Sequence, residues 1–296
     1  MSNITHRQFS VFMDCPLIYD FMTEIYERDW RNGVPAPFFE YAYASFPYWM
    51  DIRYCHKNRI WFDGDKVVGF CFYESPSTDT YFCLRPGYEQ LASEMIAYAD
   101  GSMLGGIEDK QFIFLSGQTA LIEEAKKLGY KKVYEWTDMQ YDFSKPLDYP
   151  LPEGFRFVPY EEQDTEKVSI CCWKGFDHEE EEGPWKPGPK DEGSYQIAVA
   201  PHSTPELELV IEDTATGEYV CYAGMWWTPA NKLAYMEPLC TVPEYRHKGL
   251  AAAILSEHYK RMKALGATHM TGGSDAFYEK IGYEPAVQFT HWKKEH

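Results

Sequence analysis

Apolar side chains recur at helical spacing at Leu17, Ile18, Phe21, Met22 and Ile25, which predicts a helix over 15–30. Asp14 suits its N-cap and Pro16 its first turn. The aromatic run 38–49 predicts a second helix ending near Pro47, with core packing preferred over a role in lining a cleft. Two apolar runs joined by Asp63-Gly64 predict a hairpin over 59–73. A strand at 81–84, a helix at 90–100, a strand at 111–116, a helix at 120–128 closed by Gly129 and a strand at 132–143 follow. The stretch 145–154 holds Pro146, Pro150 and Pro152, which a central strand does not tolerate, and reads as a linker.

The second half repeats this order. A strand at 155–159 and a helix at 163–176 lead into an acidic run, 177–185, whose like charges predict a solvated, mobile loop. Then come a strand at 195–200, a hairpin of 207–213 and 218–228 around Thr216-Gly217, and a strand beginning at Tyr235. A helix over 250–265 stops at Gly266, followed by a strand at 268–271, a short helix at 275–281 and a last strand at 286–293. The pattern implies a mixed α/β chain of two domains, 1–146 and 147–296.

Composition narrows the function. The 296 residues suit two domains, and 45% hydrophobic with 17% aromatic content supports packed cores rather than disorder. A net charge of -18 disfavours nucleic acid and anionic membranes as partners and favours a cationic substrate. Eight scattered cysteines without a C-x-x-C pair, and no secretory pattern or bilayer-length apolar run, imply reduced thiols and a cytoplasmic setting. The nine histidines lack metal-ligand spacing, so no metal is expected.

The chemistry concentrates at 235–251. Pro243 ends the strand there, and Arg246, Lys248 and Gly249 precede the helix-forming run Leu250-Ala-Ala-Ala-Ile-Leu. A loop entering a helix this way presents unpaired N–H groups and the positive end of the helix dipole. Gly249 admits a ligand close to the backbone, and two cations flank it, so the stretch reads as a phosphate cradle.

Arg246-His247-Lys248-Gly249-Leu250-Ala251 resembles the pyrophosphate loop of the GNAT N-acetyltransferases, R/Q-x-x-G-x-G/A. Phe277-Tyr278-Glu279-Lys280-Ile281-Gly282-Tyr283, about thirty residues on, resembles that family's closing motif. The resemblance implies two tandem GNAT-fold domains, each a mixed, mostly antiparallel twisted sheet flanked by helices. It implies acetyl-CoA as cosubstrate, its pyrophosphate on 246–251 and its pantetheine along Leu239, Thr241 and Val242. Pro238 inside a strand argues against that strand or marks a bulge, and the resemblance implies the bulged, splayed cofactor strand of the family. The acceptor implied is a primary amine of a small molecule or peptide, served by a monomer or homodimer. Glu237 is the candidate base, directly or through water, and Tyr278 the candidate acid for the departing thiolate. Thr271 stands where the family usually has Asn, which bears on how Tyr278 is placed.

The first half looks like a degenerate copy. Pro86 and Tyr88 align with Pro243 and Tyr245, but Glu89 falls on Arg246, Ala92 on Gly249 and Ala125 on Tyr278. A carboxylate there repels pyrophosphate and a methyl group blocks the backbone. Two rival functions stand beside N-acetyl transfer: a non-catalytic acyl-CoA sensor or scaffold, and an acyltransferase using a longer acyl group. Cys240 as a nucleophile is disfavoured, because on a regular strand it faces away from Glu237 and no histidine is fixed beside it. Gly272-Gly-Ser-Asp-Ala misses the serine-hydrolase elbow.

Overall fold

The computed structural model describes residues 3–43, 50–74, 79–103, 110–187 and 200–294. The chain forms two compact units, one of Met1–Asp138 with Pro285–His296 and one of Met139–Glu284. The division expected at 146/147 therefore differs at both ends. The second unit begins inside a strand, and the last strand belongs with the first unit.

The first unit opens with β1 (Ile4–Gln8), α1 (Val11–Ile25) and α2 (Ala36–Tyr43). β1 has no counterpart in the sequence reading, because Ile-Thr-His-Arg-Gln is an edge strand with one half-buried residue and four exposed ones. It pairs antiparallel with β2 (Arg59–Asp63). α1 starts earlier and ends earlier than its apolar stripe suggests. Asp14 is not the cap: it lies inside the helix, buried, accepting from the Ser10 N–H at 2.7 Å and from both terminal nitrogens of Arg7 at 2.6 and 2.7 Å. The remainder of the expected second helix, 44–49, lies outside the described residues.

β3 (Lys66–Glu74), β4 (Asp79–Leu84), α3 (Ala92–Gly101), β5 (Gln111–Leu115), α4 (Thr119–Lys127) and β6 (Tyr130–Asp142) follow. β4 pairs with β3 along its whole length, but with the parallel β5 only from Asp79↔Gln111 to Tyr81↔Ile113. Beyond Tyr81 its edge is closed by the unit's own groups. Gln118 Nε2 donates to Phe82 O at 2.6 Å and Leu84 N donates to Asn32 O at 2.8 Å. Gly33 lies so close to Cys83 that a Cβ there would sit 2.5 Å from its sulfur.

The second unit begins in the last residues of β6. The linker 145–154 holds no strand or helix, as its prolines predict, yet Leu147 is buried in the core. β7 (Phe155–Val158) and α5 (Thr165–Gly175) follow, and Asp164 caps α5 by accepting from two N–H groups. The acidic run forms a short helix, α6 (His178–Glu182), where a loop is expected. The strand expected at 195–200 falls almost wholly outside the described residues. β8 (Leu209–Asp213), β9 (Tyr219–Ala223), β10 (Trp226–Thr228), β11 (Leu233–Tyr235) and β12 (Leu239–Thr241) come next. α7 (Leu250–Ala264), β13 (His269–Thr271) and α8 (Ala276–Lys280) complete the unit, and β14 (Glu284–Lys294) leaves it to pair with β5.

Two four-stranded arrays build this second unit. One runs β6–β13–β11–β10, the other β12–β9–β8–β7. The organising stretch is thus cut in two: β11 pairs with β13 and β10, whereas β12 pairs with β9 alone. Side chains of Val210, Tyr222 and Cys240 face α5 with Cys171 and Cys172, while Leu209, Ile211 and Val220 pack with α7 on the other face.

Candidate active site

The break between β11 and β12 falls at the cis peptide Glu237–Pro238. Gly224 faces it from the neighbouring strand and donates its N–H to Pro238 O at 2.8 Å. A Cβ at Gly224 would lie 2.3 Å from Glu237 O, so only glycine fits that crossing. On the other side the ladder with β13 stops at Ala234↔Met270. The next amide, Met236 N–H, is taken by the Thr271 hydroxyl at 2.7 Å. The strands part without leaving that buried N–H unpaired.

A cleft of about 560 Å³ opens beside β12. Its walls are Leu239, Cys240 and Thr241 from the strand, Gly175 and Phe176 from the end of α5, and Phe277, Tyr278 and Lys280 from α8. Its floor is the loop and first turn of α7, with Arg246, His247, Gly249, Leu250 and Ala251. Gly249 has φ +87° and His247 φ +63°, so the loop needs glycine at 249 for its left-handed backbone as well as for ligand approach. The first intrahelical bond is Ala253 N–H to Gly249 O at 3.0 Å. The N–H groups before it have no acceptor within the helix and point toward its N-terminus, with the positive end of the dipole.

Eight of the eleven site residues named from sequence line this cleft, and three do not. Val242 is buried under α5 and gives its N–H to Val220 O at 3.0 Å. Lys248 turns away, with its Nζ 4.3 Å from the centre of the Tyr245 ring. The Tyr245 hydroxyl in turn donates to Asp213 Oδ2 at 2.9 Å. The Ala215 N–H, the Tyr245 hydroxyl and the Lys248 charge hold Asp213 below the usual carboxylate range. Glu237 is half-buried and accepts from the Tyr235 hydroxyl. Burial raises its pKa more than that hydrogen bond lowers it.

Tyr278 is 8% exposed, and its ring lies on the backbone of Gly272 and Gly273. A Cβ at Gly272 would come within 2.7 Å of the Tyr278 ring and 2.8 Å of Tyr283. The departure at 271 thus has a structural content: Thr271 holds the parted strands, and the two glycines after it make the bed for Tyr278. Cys240 packs with Cys171 and Cys172 against Gly175, and no histidine hydrogen-bonds it among the described residues. Among those residues no three metal-ligating side chains cluster, and no helix is long and apolar enough to cross a membrane.

Arg246 is engaged from three sides. Its Nε donates to Thr241 O at 3.1 Å, and its Nη2 to Gly175 O at 3.0 Å and to Asp177 Oδ1 at 2.8 Å. Sequence alone missed Asp177 and the α5 end, which lie about seventy residues away along the chain.

A backbone cradle at a helix start lies beside a strand pulled out of its sheet, and a family model covers that stretch. Residues 206–285 match the family model described as acetyltransferase (GNAT) domain, so this stretch is a GNAT acetyltransferase domain. No curated protein matches the chain. A GCN5-related N-acetyltransferase from Sphaerobacter thermophilus is 15% identical with a TM-score of 0.60, covering 99% of this chain and 95% of that one. A tandem GNAT protein from the clavulanic acid biosynthesis pathway is 13% identical with a TM-score of 0.61, covering 98% of each. A GNAT-family acetyltransferase from Colwellia psychrerythraea is 10% identical with a TM-score of 0.64, covering 98% and 100%. At such identities the likeness is one of fold, and it makes the chain a mixed α/β protein of tandem GNAT fold.

Proposed function

We propose that the 139–284 unit transfers an acetyl group from acetyl-CoA to a primary amine of a small molecule or peptide, directly in a ternary complex. The observation that carries the reading is the meeting, in one cleft, of the parted strand β12, the Gly249 loop and Tyr278. In this reading the diphosphate lies on the first turn of α7, with Arg246 as its cation and His247 beside it, and the pantetheine follows Leu239–Thr241. The amine nitrogen attacks the thioester carbonyl and the C–S bond breaks. Tyr278 gives its proton to the departing thiolate. Glu237, its pKa raised by burial, takes the proton the amine loses, through water. The net charge of -18 favours a cationic acceptor.

One observation favours a second reading, an acyl-CoA-binding sensor or scaffold. Glu237 does not line the cleft, and the Tyr235 hydroxyl occupies its carboxylate. The deciding experiment mixes the protein, acetyl-CoA and a panel of amines and follows free CoA thiol. Thiol release above the amine-free rate with any acceptor supports transfer. Tight acetyl-CoA binding with no release across the panel supports the sensor.

A further inference from the structure

Arg246 is the cation best placed for a diphosphate, yet its fork is already occupied. Both hydrogens of Nη2 have acceptors, Gly175 O and Asp177 Oδ1, and Nε has Thr241 O. Only Nη1 has no partner among the described residues. A phosphate gripped here by two parallel N–H bonds needs Nη2, paired with Nη1 or with Nε, and Nη2 is taken. Gly175 O belongs to the end of α5 and Thr241 O to the end of β12, so neither can retreat without moving its element. Asp177 can, because it lies in the connection between α5 and α6.

Resting on the acyl-CoA reading of the cleft, we infer that Asp177 is an internal counter-ion that competes with the cofactor's diphosphate for Arg246, so that cofactor binding unlatches the acidic helix α6. Four further observations support it. Asp177 sits at φ +62°, a left-handed conformation that an L-residue adopts at a cost, aspartate at a smaller one than most. Helix α6, which Asp177 precedes, carries Glu179, Glu180, Glu181 and Glu182, a negative charge that disfavours a diphosphate nearby. The helix is otherwise tied down lightly. The Trp173 Nε1–H donates to Gly183 O at 2.9 Å, and the Trp173 and His178 rings are 5.0 Å apart. The Asp177 and Arg246 side chains are 46% and 38% exposed, so water screens their attraction and a dianionic ligand can displace it.

The test uses the full chain and CoA in calorimetry. Asp177→Asn should lower the CoA dissociation constant about fivefold, the factor that matches the upper worth of an exposed ion pair. Glu180→Gln removes the same charge from the same helix without touching Arg246, and should move it by less than half as much. In the wild type, CoA should speed cleavage at 179–182 by a protease specific for glutamate. That measurement needs no variant and stands even where Asp177→Asn fails to fold. An unchanged or weaker dissociation constant in folded Asp177→Asn, an equal gain in Glu180→Gln, or protection of 179–182 by CoA overturns the latch. A wild type that takes up no CoA overturns the acyl-CoA reading and the latch with it; wild type and Asp177→Asn binding alike overturn the latch alone.

Discussion

The Met236 N–H reaches across to the Thr271 hydroxyl at 2.7 Å, at the first residue pair where β11 and β13 no longer share a ladder. This bond lets the slot open without an orphaned buried donor. Thr271→Val keeps the shape and removes the acceptor, and should cost about 1–3 kcal/mol of stability by denaturant titration. Thr271→Ser should recover most of it. Equal stability of Val and wild type would mean that the strands are held apart by other contacts.

Each chain should bind one CoA. The first unit's β4 parts from β5 after Tyr81, but Gln118 and Asn32 already take Phe82 O and Leu84 N. A ligand there would have to displace intact hydrogen bonds. Calorimetry giving two equivalent sites per chain would contradict this.

Tyr278→Phe should lower kcat by about 10²-fold, the low end for general acid catalysis, because a thiolate with a pKa near ~8.5 leaves passably unaided. Its ring rests on Gly272 and Gly273 and is kept in the variant, so acetyl-CoA affinity should change little. A donor with a more acidic thiol should recover part of the rate. Wild-type turnover in the variant would make Tyr278 a packing residue.

Glu208 gives the protein a measurable pH signature. Burial pushes its pKa up from 4.5 to about 7, against the opposing hydrogen bond from the Tyr222 hydroxyl at 2.8 Å. Between those two values the folded chain keeps a proton that the unfolded chain has lost. The stability Glu208 contributes is therefore full below pH 4.5 and lost as pH rises to 7, a span of about 3 kcal/mol. His258, fully buried and lowered from 6.5 to about 3, acts in the opposite sense and costs stability as pH falls below 6.5. Glu208→Gln isolates the first effect. Its stability relative to wild type should rise by that amount between pH 4.5 and 7 and then stay level, while Glu237 and His258 cancel in the difference. A difference independent of pH would show that Glu208 titrates alike in the folded and unfolded chain.

The cradle is legible in sequence because its requirement is local: a left-handed residue before a helix selects glycine, and Gly249 has φ +87°. Tyr278 is legible as part of a short motif on one helical turn. Lys248 misleads, because its neighbours along the chain do not say which way a long flexible side chain turns, and the Tyr245 ring claims it. The placing of Glu237 off the cleft wall is illegible for a different reason. Strand parity places side chains only while the strand is regular, and the break at Pro238 resets it. The Asp177–Arg246 contact is long-range and leaves no periodic trace. Nor does the pairing of β14, whose alternation suits either unit's sheet equally well.

That last strand sets a schedule for folding. β14 supplies five residue pairs to β5, from Phe289↔Leu115 to Lys293↔Gln111, and it is the last described segment of the chain. On a ribosome the first unit is begun first yet stays one strand short until β14 has been made, whereas residues 139–284 have all their own strands earlier. The half that bears the cleft can thus assemble while the half that precedes it waits with β5 uncovered. Deleting 285–294 would strike the unit that starts the chain, far away in sequence, and leave the cleft's own residues intact.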